Sequence, residues 1–155
     1  MKKILISSFL SLSVFLAGAA QLELKKGDHV VLLGNALAER VQHHGWLESY
    51  VQAALPKHGI VFRNHGFSGD KVNHRPRNRG FINPHEYLKI SKADVVLAFF
   101  GYNESFDKQT EYLQGQLVMR IDETLKQDYS GKGTPDIGVV FSIAPADLKN
   151  PGTLE

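Results

Sequence analysis

The chain has no cysteine. No disulfide can staple it and no lipoprotein anchor can be attached, so its stability must come from a packed core. It also lacks a charge excess of consequence: eighteen Lys and Arg stand against sixteen Asp and Glu. Two of those basic residues, Lys2 and Lys3, begin a stretch that runs uncharged from Ile4 to Ala20 and carries the small residues Ala17-Gly18-Ala19 near its end. A basic start, an apolar middle and small residues at the end form the pattern of a secretory signal peptide. The apolar part is short and holds four serines, which makes it weak as a membrane span. Residues 1–20 are therefore expected to be removed on export to the periplasm or the exterior, leaving residues 21–155 as one domain without a membrane anchor. That remainder is formally neutral, with sixteen basic and sixteen acidic residues. A neutral surface argues against nucleic acid as a partner, because phosphate binding wants net positive charge.

Several chemical signatures are missing as well. Seven histidines are scattered along the chain, but none falls in His-Glu-x-x-His or another ligand spacing, so no metal site is expected. No Gly-x-Gly-x-x-Gly follows a strand and no P-loop occurs, so no nucleotide cofactor is expected. There is no internal repeat and no low-complexity tract.

What the chain does have is centred on residues 29–40, His-Val-Val-Leu-Leu-Gly-Asn-Ala-Leu-Ala-Glu-Arg. A continuous apolar run over 29–33 fits a parallel strand buried on both faces. It stops at Gly34, and a helical pattern over 37–55 follows, with Leu37, Val41, Leu47, Val51 and Leu55 near helical spacing. Trp46 on that helix is expected to pack on the sheet. A second strand is expected over 60–63, a third over 94–100 and a fourth over 137–143. Between the second and third lies a long loop over 65–81, then a helix capped by Asn83, with Pro84 at its first position and Glu86 reaching back. A helix over 108–127 precedes the fourth strand. This alternation predicts a parallel sheet with right-handed crossovers. No helix follows the fourth strand, so the domain is expected to be incomplete at its C-terminus, with Val139, Val140 and Phe141 left uncovered.

In an open α/β sheet, ligands bind in the crevice at the carboxyl ends of the strands. Three loops leave those ends here: Gly34-Asn35-Ala36-Leu37, Asn64-His65-Gly66-Phe67-Ser68-Gly69-Asp70, and Gly101-Tyr102-Asn103-Glu104. Asn35, Ser68, Asp70 and Glu104 are candidate crevice residues. Asp70 and Glu104 read either as a carboxylate pair or, more simply, as solvated loop acids. Lys71, His74, Arg75, Arg77 and Arg79 form a basic loop, read as solvated unless an acidic ligand or a uronic-acid sugar uses it.

The order and content of the three loops resemble the SGNH hydrolases, the GDSL esterase and lipase family, over Val30 to about Ala144. The resemblance implies a flavodoxin-like three-layer α/β/α sandwich, which with the alternation of elements gives the spatial order 2-1-3-4, and hydrolysis of acyl esters, with a small-molecule or carbohydrate ester as ligand and no cofactor. It implies that the Gly69 N–H and the Asn103 side-chain amide are oxyanion donors, which stabilise charge developing on a tetrahedral intermediate. The first loop departs from the family pattern. Where the family has Gly-Asp-Ser-Leu this chain has Gly34-Asn35-Ala36-Leu37, so Ala36 stands at the nucleophile position. The family's late Asp-x-x-His is also absent: no histidine follows His85. Two roles in the nucleophile–base–oxyanion set are thus vacant. Ser68 and Ser105 are the only serines in the loops that could substitute, and turn or helix capping is their simpler use. The rival to an ester hydrolase is a binding domain that keeps the oxyanion crevice without the nucleophile. A flavodoxin-like cofactor binder fits less well, because the first loop lacks a phosphate cradle.

Overall fold

The computed structural model describes residues 22–76, 80, 82–106 and 110–141. The proposed signal segment, Arg77, Arg79 and everything beyond Phe141, including Asp147, lie outside the described residues.

Four parallel strands form one sheet in the order β2-β1-β3-β4. They are β1 (His29–Gly34), β2 (Val61–Asn64), β3 (Val95–Phe99) and β4 (Asp136–Val140). The order is the one expected, and the α/β class with it. The two inner strands have the continuous apolar runs and the outer two do not, as burial on both faces requires. Register is set by pairs such as Leu32 with Asn64, Leu33 with Ala98, and Phe99 with Val140.

Alternate residues feed opposite faces. Val31, Leu33, Val96, Ala98 and Phe100 face Leu88 of α3 (Pro84–Ile90) and Leu113 and Leu117 of α5 (Thr110–Leu125). Val30, Leu32, Val95 and Phe99 point the other way, toward Val41, Leu47 and Val51. A short α4 (Tyr102–Ser105) follows β3. The start of α3 is as read: the Asn83 side chain accepts from His85 N–H at 2.8 Å, and Glu86 accepts from Asn83 N–H at 3.1 Å.

The helix expected over 37–55 is two helices, α1 (Ala36–Val41) and α2 (Trp46–Ala54). Residues 42–44 close α1 with tighter i→i+3 bonds, from His43 N–H to Arg40 O at 3.0 Å and from His44 N–H to Val41 O at 3.4 Å. Gly45 then takes a left-handed φ of 62° and turns the chain into α2. This break rotates Trp46 outward. Against expectation it is 66% exposed, and it stacks on Tyr50, itself 70% exposed, at 6.3 Å. At the far edge, Val139 and Val140 are half-buried and Phe141 is 81% exposed. No helix among the described residues is long and apolar enough to cross a membrane.

Candidate functional site

The first turn is held by a backbone approach. Gly34 has φ 145°, and a Cβ there would lie 2.1 Å from the Phe99 carbonyl oxygen. The same carbonyl accepts from Asn35 N–H at 3.0 Å. Only glycine lets β1 end this close to β3. The Asn35 side chain is buried and caps α1, accepting from Leu37 N–H at 3.1 Å. Ala36 is thereby the first residue of α1, half-buried at the carboxyl end of β1.

The second loop is stitched onto α1. Asn64 donates to the Ala38 carbonyl at 2.6 Å, and Phe67 N–H donates to Gly34 O at 2.9 Å. Ser68 N–H donates to a Glu39 carboxylate oxygen at 2.6 Å. The Ser68 hydroxyl also bonds Glu39, and together they hold that carboxyl below its ordinary range. Asp70 N–H closes a turn onto Phe67 O at 3.1 Å. Gly69, with φ 89°, fills the third position of that turn, as a type II turn demands. Among the described residues its N–H has no hydrogen-bond partner.

The third loop is tied to the second. Asn103 donates one amide hydrogen to the Asp70 carbonyl at 2.9 Å, and its second has no partner among the described residues. Glu104 is not a solvated acid. It is buried, and its two oxygens accept from Val72 N–H at 2.8 Å and Gly101 N–H at 2.9 Å. Asp70 is likewise wholly buried, at 0% exposure, and Arg75 of the basic loop is 8% exposed. The structure corrects the expectation of solvated side chains at these three positions: all three are buried, and at Glu104 the reason is that the clasped loop's backbone donors need an acceptor. The Ser105 hydroxyl donates to Tyr102 O at 2.7 Å, a local helix bond.

Beside this clasp lies a cleft of about 200 Å³. Ala36, Leu37 and Arg40 of α1 form one wall, Phe99 and Val140 of the sheet another, and Tyr102 of α4 the third, with Asn35 and Phe100 completing it. Asn35 and Ala36 are thus brought to the cleft. Ser68, Gly69, Asp70, Asn103 and Glu104 are not on its wall; they form the clasp that positions Tyr102. The apolar lining and Arg40 were not picked out from sequence. Arg40 was legible in principle, since it lies four residues after Ala36 and therefore on the same helix face.

A Ser–His pair does occur elsewhere: His65 Nε2 lies 2.9 Å from Ser91 Oγ. Ser91 ends α3, and the N–H groups after it are already bonded, Lys92 to Lys89 O, Ala93 to Leu88 O and Asp94 to His29 O. No donor is left there to receive an oxyanion. Among the described residues no three His, Asp or Glu side chains gather as a metal site.

No family model matches the chain, and no curated protein does. Solved structures do. One is a gut microbial diltiazem-metabolizing enzyme, at TM-score 0.53 and 17% identity, over 77% of this chain and 27% of that one. Another is an acetyl xylan esterase from Geobacillus stearothermophilus, at TM-score 0.53 and 16% identity, over 77% of this chain and 61% of that one. The chain spans less than two thirds of the length of either. The likeness is one of fold: this chain shares its α/β fold with these two enzymes.

Proposed function

We propose that this is an SGNH-hydrolase-like domain that binds an acyl ligand, the ester of a small molecule or a carbohydrate, without forming an acyl-enzyme. The observation that carries the reading is Ala36. It opens α1 at the carboxyl end of β1, on the wall of an apolar cleft, where the family resemblance expects the attacking serine. A methyl group cannot attack a carbonyl, so covalent catalysis has no starting atom. No histidine lines the cleft to act as base. The Gly69 N–H and the second Asn103 amide hydrogen, without partners among the described residues, support an oxyanion role for those two residues in the loop clasp beside the cleft. A likeness to an acetyl xylan esterase supports acylated carbohydrate as one ligand class.

The test is chemical. The chain is treated with a serine-directed phosphonate and, separately, with an activated acetyl ester under burst conditions. The expected results are no adduct by mass spectrometry and no burst. Ala36→Ser alone should gain neither, because a serine there still lacks a base. An adduct on Ser68, Ser105 or any other serine of the unaltered protein would overturn the reading and make it a hydrolase with a different nucleophile.

A further inference from the structure

Arg40 is the one charged residue on the cleft wall. It is exposed, and among the described residues its guanidinium makes no hydrogen bond and no ion pair. Its charge acts on the adjacent Glu39, but that carboxylate is engaged by Ser68. Arg40 lies one turn along α1 from Ala36, so the two share a face of the helix. Everything opposite is apolar: Phe99 and Val140 on the sheet, and the ring of Tyr102, which packs edge-on against Phe106 at 5.3 Å.

We infer that the cleft selects a small carboxylate with an apolar or aromatic body, the free acid in preference to its ester. This rests on the reading of the cleft as the ligand site. The physical case is charge complementarity. A guanidinium presents a planar fork of donors that matches a carboxylate and has no acceptor of its own. An unpaired guanidinium on a side chain that lines an apolar cavity can recognise a molecule that has an anionic end and an apolar remainder. An ester offers only a weak neutral acceptor to that fork, so it gains the apolar burial and little else. A cavity of about 200 Å³ admits one ring or a short branched chain rather than a long lipid tail. A site with Ala36 in place of a nucleophile has nothing to do with an ester that it cannot do better with an acid.

The experiment is a titration of the full chain, by heteronuclear NMR or calorimetry, with phenylacetate and with its methyl ester as a neutral isostere. It is repeated on Arg40→Gln, whose fold is checked by circular dichroism; a surface helix position tolerates glutamine well. Phenylacetate is expected to bind saturably and more tightly than the ester, roughly tenfold or more as a charge-assisted pair implies. In Arg40→Gln that advantage should vanish, the acid losing far more affinity than the ester. Raising the salt should weaken the acid and not the ester. Equal binding of acid and ester, unchanged in Arg40→Gln, overturns the carboxylate inference and leaves the acyl-binding reading standing. Binding of neither overturns that reading itself.

Discussion

Two arginines, one on each side of the sheet, show what this fold does with charge. Arg120 on α5 sits in a closed cluster. Its guanidinium lies 3.3 Å from His85 Nε2 and 3.4 Å from Glu123, and His85 Nδ1 meets the Tyr129 hydroxyl. Arg40 on α1 has no such company and borders a cleft. The Arg120 side is covered by α3 and α5 over the largest buried cluster, which includes Tyr129. The Arg40 side is covered over β1 and β2 by two short helices. The lesson is about desolvation. Charge taken out of water must be paired within the protein, and charge left at an apolar edge is free for a ligand.

The largest expected effect breaks the geometry on which the cleft side depends. Gly34→Ala forces a Cβ into the Phe99 carbonyl and a non-glycine residue to a positive φ. Strain and overpacking together should cost roughly 3–5 kcal/mol, or prevent folding. Urea denaturation checks this; a loss under about 1 kcal/mol would show that β1 and β3 part more easily than their approach suggests.

A pair of truncations sharpens the contrast between the two sides. Leu88 of α3 is fully buried against the sheet, and Leu37 is exposed at the cleft. Leu88→Ala should cost about 2–5 kcal/mol through lost transfer and a residual cavity. Leu37→Ala should cost well under about 1 kcal/mol, because little surface leaves water there. Similar losses in chemical denaturation would mean that the cleft side is packed as tightly as the other.

The smallest effect is in pH. Burial and the neighbouring Arg120 push the His85 pKa below its ordinary 6.5, with Arg75 adding to them and Glu123 opposing them. Arg120 also donates to Nε2, which accepts only in the neutral ring. The folded state thus holds that proton less readily than the unfolded chain. Stability from this group is full above 6.5 and declines as pH falls through the lowered value. Comparing denaturation midpoints at about pH 7.5 and about pH 5.5, His85→Gln should show a shallower decline than the unaltered protein. An equal decline would remove His85 from the account.

Local pattern alone decided much of this molecule. The unbroken apolar runs of β1 and β3 marked the inner strands, because only burial on both faces suits them. The alternation of strand and helix was enough for a parallel sheet with right-handed crossovers, and the order β2-β1-β3-β4 followed only with the family resemblance added. The Asn83–Glu86 box was readable because capping partners are three residues apart. Even Ala36 at the start of α1 followed from the turn. Tertiary structure alone decided the rest. Gly45 ended a helix that periodicity would have continued, and so sent Trp46 into solvent. Glu104 was buried by Val72, thirty-two residues away, and Asp94 was paired with Lys132, thirty-eight residues away, at 2.9 Å. The cleft needs Arg40, Tyr102 and Val140 together, from three separate elements. Periodicity tells which side chains must leave water. Which distant group meets them there depends on how strand ends and loops close in space, and no short-range pattern encodes that distance.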